Sequence, residues 1–423
     1  MKTLLFAMLL TIPGFGASPE TALPSSPAER RIERAQTFLQ QQPERYQAFN
    51  DLALALMARA REIGDASYYQ QAEQAIRNSL RIEPGNFEGK KAHVALLLGE
   101  RKYREALEEA TVINHGTPDD VLVWGYMADA DAALGDYDAA EKAAQWMMDL
   151  RPGNTPAYLC GAALREDWGD TDGSIDWLGK ALQETPPLET EEEAWILTRM
   201  AALNRAIGKS EAADSLLQQA LKVFPDYYLS LEELARVRMA QQRYSEAVEL
   251  IERRNRAFPS PQSRYIMAEA LERAGQAEKA RTAFAQFEQE ARSRIEQADN
   301  ANRELVIYDA DRAHQPAEAL RIARLEMGRR HDVWTLDAYA WALHANGQDA
   351  EARVQIEKAV AIGTREAALF YHAGEIAAAR GDKAAASRYL KQSLDLDPAP
   401  EVMGRDQRAL ALLSTAAGDQ RAH

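Results

Sequence analysis

The chain has 423 residues and a formal charge of −15, with 65 Asp and Glu against 50 Lys and Arg. No basic tract interrupts the mixed charges, which argues against gripping a nucleic-acid backbone. A single cysteine, Cys160, excludes an intramolecular disulfide and a Cys-rich zinc site. Strong helix formers dominate, and Val and Ile seldom alternate with polar residues, so an all-α fold is expected.

The N-terminus reads as an address. Lys2 precedes an apolar run from Leu4 to Ile12, then Pro13, Gly14 and the small residues Gly16, Ala17 and Ser18. One positive charge, a short apolar core and a small-residue exit describe a secretory signal peptide over 1–16. Cleavage is expected after Gly16, with Ala17 as the alternative. The run is about half the ~20 residues of a bilayer-spanning helix. Residues 17–27, rich in Pro and Ser, read as a disordered lead-in. Export points to a bacterial periplasmic or secreted protein.

From residue 28 onward a period governs the sequence. A lone helix over 28–42 is followed by helix pairs. Small residues recur at Ala106, Ala140, Ser174, Ala213, Ala247, Ala280, Ala319, Ala352 and Ala386, mostly 33 or 34 apart and twice 39. A second small series, Ala128, Ala162, Ala201, Ala235, Ala268, Ala340 and Gly374, falls midway along first helices, where the partner helix approaches closely. Glycines such as Gly135, Gly169, Gly208, Gly275, Gly347 and Gly381 fall in the turn between helices, and Pro84, Pro118, Pro152, Pro186, Pro225, Pro259 and Pro398 follow second helices.

Stretches such as "LGDYDAAEKAAQWMMDLRPGN" and "RGDKAAASRYLKQSLDLDPAP" carry this period. It resembles the tetratricopeptide repeat, a unit of about 34 residues built from two helices. The resemblance implies a right-handed superhelical solenoid of about ten units over 28–416, with a capping helix at 401–416 and a flexible tail at 417–423. Insertions at 186–193 and 288–302 are possible breaks between subarrays or tolerated surface insertions.

In such a solenoid the first helices line the concave face, and the family generally uses that face to bind an extended peptide or partner helix. The implied inward residues are Tyr126, Asp129, Trp195, Arg199, Arg236, Tyr265, Glu269 and Tyr308. The C-terminal half adds Asp311, Trp334, Asp337, Trp341, His344, Tyr371, His372 and Glu375. Aromatics interleaved with carboxylates suit a peptide with apolar and basic side chains, or else serve as packing. The Lys/Asn/Lys/Arg carboxylate clamp of cytosolic chaperone adaptors is absent: the corresponding positions read Leu159, Ala163, Arg199, Ala202, Glu232 and Arg236.

No phosphate loop, HExxH helix or GxSxG elbow is present. The expectation is a non-catalytic periplasmic scaffold with a protein or peptide partner, no cofactor, no bound metal and no membrane span after signal cleavage. The alternative is a metal- or small-ligand-binding accessory protein using His344, His372, Asp337 and Glu375.

Overall fold

The computed structural model describes residues 26–297 and 302–396, and within them 21 α-helices and no strand. The expected signal peptide, most of the lead-in, the capping helix at 401–416 and the tail lie outside the described residues. A lone α1 (Pro27–Gln41) precedes ten helix pairs. These are α2 (Tyr46–Ile63) with α3 (Ser67–Ile82), α4 (Phe87–Gly99) with α5 (Tyr103–Gly116), α6 (Val121–Leu134) with α7 (Tyr137–Leu150), and α8 (Thr155–Asp167) with α9 (Thr171–Glu184). Next come α10 (Thr190–Ala206) with α11 (Ser210–Val223), α12 (Tyr228–Ala240) with α13 (Tyr244–Ala257), and α14 (Pro261–Arg273) with α15 (Ala277–Ser293). The last pairs are α16 (Arg303–Asp311) with α17 (Pro316–Met327), α18 (Val333–Ala345) with α19 (Asp349–Ile362), and α20 (Ala367–Ala379) with α21 (Lys383–Leu396).

Local chemistry sets these boundaries. Ser26 and Glu29 close a capping box with Pro27 at the first helical position, so α1 opens one residue before the expected start. The buried Glu62 accepts from the Ala28 N–H at 2.9 Å and from the Ser26 hydroxyl, tying the start of α1 to the end of α2. Asp120 and Asn154, one period apart, cap α6 and α8 with their side chains; Asp136 and Asp170 do the same for α7 and α9. The six turn glycines named above all have positive φ.

Both small-residue series are buried wherever they fall. Their purpose is visible at Ser174, whose hydroxyl donates to the Ala162 carbonyl at 2.8 Å, so the two small residues of one unit meet. At Gly374 an added Cβ would stand 2.6 Å from Leu390. Neither gap admits a larger side chain without separating the helices.

First helices pack on first helices in three runs: α2–α4–α6–α8, α10–α12–α14 and α16–α18–α20. Packing loosens at the two insertions, and an ion pair bridges each gap. Arg199 of α10 pairs with Glu166 of α8. Arg312, the residue that caps α16, holds Glu272 of α14 through two hydrogen bonds, at 3.1 and 2.7 Å. The second insertion lengthens α15 to 17 residues where most second helices have 14, and Phe287, Ala291 and Ile295 carry the core across to Leu305.

The solenoid turns back on itself. The His331 N–H, just before α18, donates to the Ala133 carbonyl at 2.9 Å, and the Thr364 hydroxyl, before α20, donates to the Asp167 carbonyl at 2.7 Å. Gly64 packs against Tyr228, and Arg31 pairs with Glu189. Turns of early units therefore meet loops of units five or six further on, and a seam joins successive superhelical turns.

Candidate functional site

The inner face is not one groove. At its N-terminal end a cavity of about 960 Å³ opens between α1, α2, α4 and α6. The floor is made of small residues, Ala35, Ala48, Ala55, Ala58 and Ala95. Phe38 and Leu54 stand on its wall, 40% and 46% exposed. Arg31, Arg34, Arg45 and Arg61 line it together with Asp51 and Asp129. The Arg45 guanidinium lies 5.1 Å from the Phe38 ring centroid. Of the expected inward residues, Tyr126 and Asp129 line this cavity. Asp129 is exposed to the cavity but enclosed by its walls, and the partial loss of hydration pushes its carboxyl up to about 6.

A smaller space of about 260 Å³ shares Arg31, Ala58 and Arg61 with the first and reaches Trp195. A third, of about 420 Å³, is lined by Trp195, Arg199 and Arg236 with Leu159, Ala163 and Ala202. There the carboxylates are already engaged: Glu166 by Arg199, Glu233 by Arg205 at 2.5 Å, and Glu232 by the buried Arg254 at 2.5 Å.

The C-terminal residues behave differently. Tyr265 and Tyr308 pack their rings on Phe284 and Phe287, and Glu269 is buried. Trp341 is only 7% exposed; Tyr371, His372, Asp337 and Glu375 are buried with it. The Trp341 indole stacks on the His372 ring, 4.2 Å between centroids, and donates to Asp311 at 2.8 Å. Asp337 meets His372 Nδ1 at 2.7 Å and Arg303 at 3.3 Å, so one buried carboxylate ties α16, α18 and α20 together. Burial alone would raise the Asp337 carboxyl, but the His372 ring and the Arg303 guanidinium outweigh it and hold it below the usual range. The expectation of an exposed aromatic face fails here because these side chains are long enough to fill the space between first helices.

Trp334 is half-buried under Arg303, whose guanidinium lies 4.9 Å from its ring, in a crevice on the seam that Arg101 also lines. His344 Nδ1 lies 2.6 Å from Asp349, and the Trp341 ring contacts those of both His344 and His372. Among the described residues no three His, Cys, Asp or Glu side chains converge as a metal site would require. Cys160 is packed in a small core cluster, and burial pushes its thiol up. No described helix is long and apolar enough to cross a membrane.

The residues missed from the sequence are Arg31, Arg34, Phe38, Arg45 and Leu54. Arg61 was missed as well, and for it a signal existed: Ala95 lies 34 residues before Asp129 and Arg61 another 34 before Ala95, in the same place of their units.

Residues 367–400 match the tetratricopeptide repeat family. No curated protein matches the chain in sequence. Among solved structures, the Cut9–Hcn1 hetero-tetramer of the APC/C is 14% identical with a TM-score of 0.46, over 92% of this chain and 58% of that one. The chain therefore spans little more than half the length of that relative. The human IFIT1 dimer with m7Gppp-AAAA is 16% identical with a TM-score of 0.50, over 78% of this chain and 76% of that one. Yeast Tom70 is 13% identical with a TM-score of 0.37, over 87% and 96% respectively. Likeness at these identities speaks of fold alone. The chain is a helical solenoid with the tetratricopeptide-repeat fold, and its last described helix pair carries the repeat's sequence signature.

Proposed function

We propose that the chain is a non-catalytic adaptor of the bacterial periplasm that binds a segment of another polypeptide in the inner space of its solenoid. The N-terminal cavity is its principal site. One observation carries this reading: that cavity presents exposed apolar side chains and cations over a floor of alanines, whereas the C-terminal inner face is consumed by its own packing. About 960 Å³ is at the upper end of small-ligand pockets and suits a peptide side or a helix face. Export rests on the apolar run Leu4–Ile12 and the small-residue exit that follows it.

The test places a photo-crosslinking residue at Phe38 in the exported full chain and, as a control, at Val112, which is 71% exposed on α5. A defined polypeptide cross-linked from Phe38 and not from Val112 supports the reading. Identical products from both positions, or none from Phe38, overturn it.

A further inference from the structure

Consecutive units are joined by clusters of buried apolar side chains, and among the described residues each cluster draws on neighbouring units alone. None of them crosses the seam. What crosses it is mostly polar: the hydrogen bonds from His331 and Thr364, the Arg31–Glu189 pair, and Arg61 with Glu191 at 3.7 Å. The Tyr228 ring on Gly64 adds one apolar contact. Exposed ion pairs and single hydrogen bonds each contribute little, so the seam is the joint that opens at least cost.

Acidic groups meet there from both sides. Asp167, at the end of α8, has its carbonyl held across the seam by Thr364, and its carboxyl lies under the charge of Glu166 and of Asp332, the cap of α18. Tyr137 of α7 lies near both aspartates. Arg199 of α10 offsets part of this charge, but its guanidinium is taken by Glu166. Arg165 is taken by Asp170. On the other side of the seam Arg365 packs its stem against Gly169, and His331 stands against Gly135 beside Asp332. Among the described residues no cation pairs with the Asp167 carboxyl. Burial, then Glu166 and Asp332, push it up to about 7. Opening the seam hydrates this carboxyl and separates it from Asp332, so the closed seam holds the proton more tightly than the open one.

We propose that the seam is a proton-controlled latch: a proton on Asp167 keeps successive superhelical turns together, and its release lets them part. As pH rises through about 7 the charged Asp167 is set against Glu166 and Asp332, and the open form gains. Opening changes more than the overall dimensions. The space of about 260 Å³ beside the N-terminal cavity is lined from both turns, by Arg31, Ala58 and Arg61 on one and by Glu189, Glu191 and Trp195 on the other. Parting the turns therefore widens one flank of that cavity. The latch itself does not depend on what the cavity holds.

The experiment measures the radius of gyration of the full mature chain by X-ray scattering from about pH 5 to about pH 8 at constant ionic strength. The wild-type radius is expected to rise with a midpoint near pH 7. Asp167→Asn keeps the shape of the side chain without its charge, so its radius should stay at the low-pH value throughout. His331→Gln removes the other group of the seam that titrates in this range and should leave the rise in place. Gly169→Ala forces the seam apart sterically, since its Cβ would stand 2.4 Å from the Gly363 carbonyl. It should be as large at pH 5 as the wild type is at pH 8, with helicity unchanged. A wild-type radius that is constant with pH, an equal rise in Asp167→Asn, or a Gly169→Ala chain that is compact at pH 5 overturns the latch. A rise that survives Asp167→Asn and disappears in His331→Gln also overturns it, by moving the switch to the histidine.

Discussion

Asp129 and Trp341 occupy the same place in their units, each one residue after the small residue midway along a first helix, yet one lines an open cavity and the other is core. Both lie within first helices. What differs is the reach of the neighbouring side chains. Next to Asp129 the matching inner position of the preceding unit is Ala95, too short to span the gap between first helices. Around Trp341 the indole, His372 and Asp337 reach across three units and satisfy one another. A large aromatic on the inner face of a solenoid therefore closes that face when its neighbours are also long. Cavities persist where the inner positions are small.

This comparison is broken most directly by truncation at the closed end. Trp341→Ala removes a buried stacking partner and leaves Asp311 without its indole donor. We expect a loss of about 3–5 kcal/mol in chemical denaturation, the usual range for a buried Trp. Asp337→Ala leaves Arg303 and His372 facing a void, with a cost of the same order, about 3–5 kcal/mol. If either variant melts like wild type, the C-terminal face is not a packed core and the contrast with the N-terminal cavity fails.

The seam gives the next largest effect. Gly169 and Gly208 share a backbone conformation, φ +75° and +77°, so an alanine at either pays about 1–2 kcal/mol for its left-handed geometry. Gly208 has open space around it, whereas a Cβ on Gly169 would stand 2.4 Å from the Gly363 carbonyl. The difference between Gly169→Ala and Gly208→Ala therefore isolates the contact between superhelical turns. We expect the first to be the less stable and to raise the radius of gyration in X-ray scattering, and the second to leave the radius unchanged. Equal melting points and radii would show that the seam contributes nothing.

The helix pairs were legible because the repeat records its packing in residue size. Ala162 and Ser174 touch, Gly374 admits Leu390, and both are visible as small residues at fixed spacing. The central inward positions Arg199 and Arg236 were legible for the same reason. Depth was not. Trp341 and Tyr371 were found on first helices, but whether such a ring is exposed depends on what the adjacent units place opposite it, which spacing within one unit does not encode. The seam was illegible for a related reason: His331 and Ala133 are 198 residues apart, and their contact follows from the accumulated rotation of six units.

Asp167 offers a finer probe of the seam. Burial, then the nearby Glu166 and Asp332 carboxylates, push its carboxyl up to about 7. Between about pH 4 and pH 7 the folded chain holds a proton there that the unfolded chain releases, so this group's contribution to stability is greatest below about pH 4 and is lost as pH rises through about 7. Asp129 and Asp131, both pushed to about 6, act in the same direction at lower pH. Asp167→Asn should therefore raise the melting temperature at about pH 8 and change it little at about pH 5. A variant whose melting curve moves equally at both would mean that Asp167 titrates as an ordinary surface carboxyl.

The smallest stability effect belongs to the open end. Phe38 is exposed, and its main described contact is the Arg45 guanidinium over its ring, so Phe38→Ala removes little buried area. We expect a change of at most about 0.5 kcal/mol, the usual limit for a surface substitution, against the several expected for Trp341→Ala. Binding should invert that order. Phe38→Ala is expected to reduce capture of the partner polypeptide several-fold, because an aromatic anchor is lost from the cavity wall. The same pair of substitutions thus separates the roles that the two ends assign to their aromatics. A Phe38→Ala protein that loses stability as Trp341→Ala does, yet binds unchanged, would make Phe38 a packing residue and remove the basis for placing the site at the N-terminal end.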